Sequence, residues 1–148
     1  MDRWLVLYDG DCGLCMWLLA GILRWDRRQR LQPVALQTDR AAELLADLSP
    51  EQRLASWHLI ALTGERPEAA AETEAARYSA GAALPPILRL LPAGALPASA
   101  LAATPELTER AYRWVAAHRN LLSKLIPAAS KRKASAYVSR CESMRIAE

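Results

Sequence analysis

The first half of the chain alternates short apolar runs with segments whose apolar residues recur at helical spacing. Trp4–Tyr8 is almost continuously apolar, which is typical of a strand buried on both faces of a sheet. Cys15–Arg27 follows with helical spacing, and Leu31–Leu36 predicts a second strand. Pro33 within that strand favours an edge position or an irregular start, because proline cannot donate to the sheet. A strand, a helix and a strand in this order predict a parallel unit.

Downstream, the same alternation continues and then becomes mostly helical. Ser49-Pro50-Glu51-Gln52 combines an N-cap, a proline in the first turn and a capping-box glutamine. Thr104-Pro105-Glu106 also places a cap, a proline and an acid in order, and predicts a helix that ends near His118. We predict that the inner face of this helix contains Leu107, Ala111, Trp114, Val115 and His118. The remaining elements are predicted as a helix at 39–48, a strand at 57–62, a loop or short helix at 65–76, a helix at 81–91 and a Pro/Ala linker at 92–103.

The turn between the first strand and the first helix contains two cysteines, Cys12 and Cys15, with two residues between them. Thiol–disulfide exchange needs this arrangement, because the attacking thiol must be exposed and partly ionised, with its partner within bonding reach. Free amides and the positive end of the helix dipole stabilise a thiolate at the first cysteine. We therefore predict Cys12 as the nucleophile and Cys15 as the resolving thiol. The pair should lie at the carboxyl end of the first strand, where open α/β sheets place their sites.

Asp9 and Asp11, which precede the cysteines, have two opposite expected effects. A carboxylate beside Cys12 disfavours its thiolate and opposes the helix dipole. A carboxylate near Cys15 can instead accept the proton of that thiol during resolution. Asp-Gly-Asp is also strong turn chemistry, so we expect Asp11 to cap the helix or form the turn, with catalysis as its second role. Which of the two acts on the cysteines stays open at this point.

Tyr8–Cys15, read as Y-D-G-D-C-G-L-C after an N-terminal strand, resembles the opening motif of the DCC family of thiol–disulfide oxidoreductases. The family is named for an aspartate and two cysteines, which here are Asp9 or Asp11, Cys12 and Cys15. The resemblance implies a thioredoxin-like fold, a dithiol redox role, and a short fourth strand around 77–79. It continues more weakly to Arg119, which either pairs with an acid such as Asp9 or is a surface arginine. Later landmarks are Leu36-Gln37, the Gly64 turn, 78–83 and 112–116.

One expected feature of thioredoxin-like proteins is missing. These proteins usually place a cis-proline opposite the cysteine pair, just before a core strand, but this chain has Ser56-Trp57-His58 there. The usual backbone site for pairing with a peptide substrate is therefore in doubt. We expect Trp57 to be a core residue, and the alternative is that Trp57 or Ser56 covers the site. We expect His58 and His118, which lie in apolar patterns, to be hydrogen-bonded core or boundary residues.

The order of strands and helices predicts an α/β fold, and the resemblance implies that it is a small, thioredoxin-like mixed sheet flanked by helices, with an additional C-terminal helical segment. We predict a domain at 1–119 and a basic, partly helical tail at 120–148. The chain has a net charge of +3, and the segment from 119 to 148 contains seven Lys and Arg and two Glu. Three adjacent cations at 131–133 without interleaved aromatics favour a solvated tail over nucleic acid or membrane binding. Cys141 in this tail is expected to be a bystander.

The chain's 148 residues, of which 52% are hydrophobic and 24% charged, are ordinary for one globular domain. The longest apolar run, Leu14–Leu23, is ten residues and too short to cross a bilayer. Asp2 and Arg3 lead directly into a strand, so no signal peptide is predicted. Three cysteines do not form a disulfide framework, and we predict a reducing, cytoplasmic location.

These features favour a thiol–disulfide oxidoreductase that acts on disulfides of proteins or small molecules without a bound cofactor. Its electrons would come from another dithiol system or from glutathione. The alternative is a binding or redox-sensing protein of the same fold, with structural or metal-bound cysteines. Zinc binding needs four ligands, so His58, His118 and Cys141 would have to converge on the single cysteine pair.

Overall fold

The computed structural model describes residues 3–62 and 77–146, which form a mixed sheet covered by helices. The strands are β1 (Arg3–Tyr8), β2 (Leu31–Ala35), β3 (His58–Leu62) and β4 (Arg77–Ser79), in the spatial order β2-β1-β3-β4. The helices are α1 (Gly13–Trp25), α2 (Asp39–Leu44), α3 (Pro50–Ala55), α4 (Leu84–Leu90), α5 (Ala95–Ala103), α6 (Pro105–Ala117), α7 (Arg119–Lys124) and α8 (Ala128–Ile146). A 3-10 turn at Ala80–Ala83 precedes α4.

The sheet confirms the predicted α/β class. β1 and β2 pair in parallel, from Trp4 opposite Leu31 to Tyr8 opposite Ala35, with α1 as their connection. Pro33 lies in β2, an edge strand, as its missing N–H led us to expect. β3 runs antiparallel on the other side of β1, and β4 pairs with β3 where the resemblance placed a fourth strand.

Both faces of β1 are buried, and its residues alternate between two apolar layers. Val6 and Tyr8 pack into the larger layer, while Leu5 and Leu7 pack into the smaller one. The apolar run of β1 is continuous because residues on both faces of the strand are buried. The larger layer also holds Leu19, Leu23, Ile87 and Val138, and the smaller one holds Val34, Ala41, Leu45 and Ile60.

Helix boundaries differ from the prediction at several places. The segment 92–103 is not a linker, because α5 forms at Ala95–Ala103. Alanine is the best helix former, and Pro97 falls in the first turn, where a missing N–H costs no hydrogen bond. The helix predicted at 39–48 ends at Leu44, and α1 begins two residues before Cys15. The Gly64 turn and the segment 65–76 lie outside the described residues.

α6 has the predicted length but a different inner face. Leu107 and Trp114 are 63% and 57% exposed, whereas Thr108 is buried. The Thr104 side chain does not cap the helix, because its Oγ1 donates to the carbonyl of Ala100 at 3.1 Å. The apolar spacing therefore found the helix but not its orientation.

α8 confirms the additional C-terminal helical segment and packs into the main core. Ala134, Val138 and Cys141 are buried in the same layer as α1. Cys141 is only 3% exposed, so it does not lie in a solvated tail. The division of the chain at residue 119 stays a prediction, and this shared core bears directly on it.

Candidate active site

Cys12 and Cys15 form a disulfide at the start of α1, with their Cα atoms 5.2 Å apart. Cys12 is the N-cap residue, and its Sγ accepts a hydrogen bond from the backbone N–H of Cys15 at 3.3 Å. Tyr8, the last residue of β1, leads directly into this turn. The first turn of the helix therefore directs the Cys15 amide and the positive end of the helix dipole at the Cys12 sulfur, which favours a thiolate there when the pair is reduced.

Asp11 does not cap α1, because Cys12 occupies the N-cap position. Asp11 is exposed, and its backbone N–H donates to Asp9 Oδ1 at 3.0 Å. The capping role expected for Asp11 is therefore wrong, while the turn-forming role describes what it does. The side chain that caps α1 is the sulfur of Cys12, one residue after Asp11, and not the Asp11 carboxylate.

Asp9 is the carboxylate that the fold holds in place. Its side chain is 14% exposed and accepts hydrogen bonds from Gln37 Nε2 at 2.9 Å and from Arg119 Nη1 at 3.3 Å. Its backbone carbonyl accepts the N–H of Cys12 at 3.3 Å. The pairing of Arg119 with Asp9 that the sequence left open is thus present, and it fixes a carboxylate against the cysteine turn.

Gln37 is a site residue to which the sequence gave no role. Its amide nitrogen donates to Asp9 and, at 3.3 Å, to Asp11 Oδ2, while its Oε1 accepts the backbone N–H of Gly10 at 3.1 Å. The available signal was its position just after β2, at the same sheet edge as the turn that follows β1. One side chain just beyond the neighbouring strand therefore bonds to all three residues of the Asp-Gly-Asp turn.

The segment before β3 is closed by internal hydrogen bonds. The described residues contain no cis peptide bond. The backbone N–H of Trp57 donates to the Tyr112 hydroxyl at 2.9 Å, and its carbonyl accepts the N–H of Ala80 at 3.0 Å. The Trp57 side chain is buried in the larger layer, as expected. Burial also raises the pKa of the Tyr112 phenol, so this side chain stays a neutral hydroxyl.

An apolar cavity of about 340 Å³ opens beside the cysteine pair, between α1 and α6. Cys15 is part of its wall, and Asp9, Tyr112 and Arg119 supply polar groups. The rest of the lining is mainly aliphatic and includes Leu14, Leu18, Ile22, Leu54, Leu84 and Val115. The site thus combines a disulfide-forming cysteine pair, a carboxylate held by hydrogen bonds and an apolar pocket.

The model of the DCC1-like thiol-disulfide oxidoreductase family matches residues 6–125. The chain belongs to this family. The match confirms the resemblance carried by Tyr8–Cys15 and, with the disulfide, supports a redox role for the cysteine pair. No curated protein and no solved structure matches the chain.

The C-terminal helix α8 also contacts the cysteine motif. The side chain of Lys131 passes over Gly13, where an added Cβ would lie 2.9 Å from Lys131 Cδ and 3.1 Å from Ser123 Oγ. Lys131 Nζ donates to the Ser123 carbonyl at 3.0 Å. The expected solvated run therefore describes Arg132 and Lys133, which are exposed, but not the half-buried Lys131.

Both histidines lie in hydrogen-bonded positions, as expected. His58 is 2% exposed, with Nδ1 at 2.7 Å from Ser79 Oγ and Nε2 at 3.0 Å from the Arg53 carbonyl. Burial lowers its pKa and keeps the ring neutral. His118 Nδ1 lies 2.8 Å from the carbonyl of Trp114, and the His118 ring stacks on the Trp114 ring.

Residues 3–62 and 77–146 contain neither a group of metal-ligating side chains nor a helix that could span a membrane. Within these ranges no three His, Cys, Asp or Glu side chains are grouped closely enough to hold a metal ion. None of the helices described there has the length and hydropathy needed to cross a bilayer.

Proposed function

We propose that the protein is a thiol–disulfide oxidoreductase that exchanges two electrons with disulfide substrates through Cys12 and Cys15. The observation that carries this proposal is the disulfide itself, formed at the N-cap of α1 with an amide donating to Cys12 Sγ. A pair that only stabilises the fold has no need of a sulfur at the N-cap. A nucleophilic pair does, because the N-cap position favours ionisation of the attacking thiol.

In the reduced protein, the Cys12 thiolate attacks one sulfur of a substrate disulfide. A bond forms between Cys12 Sγ and that sulfur, and the other substrate sulfur leaves as a thiolate that takes up a proton. Cys15 then loses its proton and attacks Cys12 Sγ, which restores the protein disulfide and releases the second substrate thiol. The substrate gains two electrons and the protein dithiol loses two.

Asp9 is our candidate for the group that accepts the proton of Cys15. Asp9 and Cys15 line the same cavity, and the carboxylate is held by Gln37 and Arg119. A fixed, mostly buried carboxylate within such a site suits proton transfer, because geometry and low exposure make the transfer efficient. Asp11, exposed and bonded to the turn, has a positioning role at most.

The oxidised pair must be reduced again by a thiol from outside the chain. We propose another dithiol system or glutathione as this donor, in the reducing cytoplasm, and no bound cofactor. Disulfide exchange transfers the electrons directly between sulfur atoms, so the cysteine pair itself is sufficient chemistry.

The redox equilibrium of the pair tests this proposal. The metal-free protein is equilibrated in graded glutathione buffers, its free thiols are trapped by alkylation, and the products are weighed. We expect one reversible two-electron transition within the range of known exchange proteins, roughly −120 to −270 mV. Two thiols that never pair, or that react only after a metal chelator is added, would overturn the proposal.

A Cys15→Ser variant assigns the two roles. It should accumulate a mixed disulfide on Cys12 with a small thiol, whereas Cys12→Ser should not accumulate one on Cys15 at a similar rate. Turnover of a disulfide substrate by the wild-type protein then distinguishes an oxidoreductase from a redox sensor, which would be oxidised once and stop.

A further inference from the structure

We propose that the cavity beside Cys15 binds the apolar body of the substrate, and that this substrate is a small, uncharged disulfide with an aliphatic chain. This inference rests on the proposed oxidoreductase function and names the class of molecule on which it acts. The cavity touches one cysteine of the pair directly, so a molecule bound there has its sulfur atoms beside the reacting ones.

The size and lining of the cavity fit a small molecule. A volume of about 340 Å³ lies within the range of small-molecule sites, roughly 300 to 1,000 Å³. Leu18 and Leu54, which are 40% and 42% exposed, belong to its lining and leave apolar surface facing solvent. Burying that surface against an aliphatic chain is favourable, at roughly 25 cal/mol per Å².

The charges at the site favour an uncharged ligand. Asp9 and Arg119 are the ionised side chains of the described lining, and they pair with each other at 3.3 Å. A ligand carboxylate or ammonium would have to compete with this pair and would lose its own hydration in an apolar cavity. The Tyr112 hydroxyl accepts from Trp57 and keeps its own proton to donate to a ligand hydroxyl or carbonyl.

The same site offers fewer binding groups to a peptide substrate. Extended peptides bind by pairing their backbone with free N–H and C=O groups of the protein. Beside the cavity, the N–H and C=O of Trp57 are already bonded to Tyr112 and Ala80. The strand end nearest the cysteines therefore offers no free pair of backbone groups at Trp57, while the cavity offers depth for a side group or chain.

The reaction on such a substrate balances as in the general mechanism. The Cys12 thiolate attacks the near sulfur of the bound disulfide, and the distal half leaves as a thiolate that takes up a proton from solvent. Cys15 then loses its proton and attacks Cys12 Sγ. The Cys12–Cys15 bond forms, and the half whose chain occupies the cavity leaves as a thiolate that takes up a proton. Dithiothreitol in the assay returns the two electrons to the protein.

The test compares hydroxyethyl disulfide with hydroxyhexyl disulfide, two uncharged substrates with the same reacting group and different chain lengths. Each methylene that enters the cavity should raise kcat/KM up to about fourfold, from roughly 0.8 kcal/mol per buried methylene. We expect the longer substrate to be preferred at least about tenfold. Equal kcat/KM values for the two substrates would overturn the inference but leave the oxidoreductase proposal intact.

Two matched variants of α6 locate the preference. Ala111 lines the cavity and Ala117 does not, although both are exposed alanines of this helix. Ala111→Phe should fill the cavity and bring the ratio of kcat/KM values close to one. Ala117→Phe should keep the wild-type ratio, and a ratio that survives in Ala111→Phe would contradict the inference. Thermal unfolding of both variants checks that they are folded.

A binding measurement separates this inference from the redox chemistry. Hydroxyhexyl sulfide, a thioether that cannot exchange, is titrated calorimetrically into the oxidised wild-type protein and into Ala111→Phe. We expect saturable binding with a negative heat-capacity change, weakened at least about tenfold by the substitution.

Absence of binding overturns the pocket inference even if the cysteine pair exchanges normally. Binding without any disulfide exchange would instead overturn the oxidoreductase proposal. Exchange with protein disulfides alone would overturn the small-molecule class.

Discussion

Asp9 Oδ2 and Arg119 Nη1 lie 3.3 Å apart, although 110 residues separate them in the chain. Asp9 belongs to the cysteine turn and Arg119 begins α7, so this contact joins the motif to the helices that close the cavity. Because Asp9 is 14% and Arg119 40% exposed, water screens the pair only in part. The carboxylate therefore keeps one orientation beside the cysteines without being sealed from solvent.

This arrangement predicts that Asp9→Asn slows the resolving step by about a hundredfold, the lower end of what a positioned proton acceptor contributes. The amide cannot take the proton of Cys15, so a mixed disulfide on Cys12 should build up during oxidation by a small disulfide. Acid-quenched samples weighed by mass spectrometry measure that intermediate. Asp11→Asn is the matched control and should resolve at the wild-type rate. Equal effects of the two substitutions would argue against a specific role for Asp9.

A second prediction concerns Gly81, which packs closely against Glu109 of α6. A Cβ at this residue would lie 2.9 Å from the Cα of Glu109 and 2.7 Å from its Oε2, which accepts the Gly81 N–H. Backbone cannot move aside as a flexible side chain does, so Gly81→Ala should lower the free energy of unfolding by about 1–3 kcal/mol. Urea unfolding measures the change.

Gly21 supplies the control for that substitution. It lies in α1, and nothing lies within 4 Å of a Cβ built on it. Gly21→Ala should raise stability by about 0.5–1 kcal/mol, because alanine loses less backbone entropy in a helix. If both substitutions changed stability in the same direction, the close contact between Gly81 and Glu109 would not be the cause.

The sequence predicted correctly those features that depend on a residue's own backbone or on its near neighbours in the chain. Pro33 indicated an edge strand because its missing N–H is tolerated there, and Ser49 with Gln52 forms the capping box that their spacing predicted. The cysteine pair at a helix start was likewise readable from Cys12 and Cys15. Each of these features depends on the residue's own backbone or on neighbours within one turn.

Features set by long-range packing were not readable in the same way. Nothing local indicates that α6 buries Thr108 and exposes Trp114, since that depends on how the helix meets the turn at 80–83. The cavity depends on the same placement. The docking of α8 left a weak signal, because Ala134, Val138 and Cys141 follow helical spacing but are small.

His58 predicts how stability depends on pH. Its pKa in the folded protein is lowered, chiefly by burial, so below about pH 6.5 the unfolded chain binds a proton more readily than the folded one. The free energy of unfolding should therefore fall as the pH drops below that value, towards the lowered pKa. A single group gives a slope of at most about 1.4 kcal/mol per pH unit.

Urea unfolding at several pH values between about 5.5 and 7.5 measures this slope, which spans the ordinary histidine pKa. His58→Gln should remove the part due to this ring, whereas His118→Gln, at a less buried residue, should retain it. A slope that disappears only in the His118 variant would show that the wrong histidine has been identified.

Glu142 of α8 ties the C-terminal helix to the sheet through both carboxylate oxygens. Oε2 accepts the hydroxyl of Tyr8 at 3.1 Å, and Oε1 accepts the backbone N–H of Ala35 at 3.0 Å. Burial, with this carboxylate next to it, also raises the pKa of Tyr8, so the hydroxyl keeps its proton and donates. One side chain of the segment assigned to the tail thus satisfies two groups at the ends of β1 and β2.

Glu142→Ala should therefore lower the free energy of unfolding by about 2 kcal/mol, because it leaves a buried hydroxyl and a strand amide without acceptors. Adding Tyr8→Phe should recover part of this loss, since the unsatisfied hydroxyl is then removed. Ser143→Ala, at an exposed residue whose hydroxyl donates to the Ser139 carbonyl within α8, should change stability by less than about 0.5 kcal/mol. If Glu142→Ala were as silent as Ser143→Ala in urea unfolding, α8 would be an appendage and the division at residue 119 would hold. The expected loss would instead make α8 part of the domain that holds the cysteine pair.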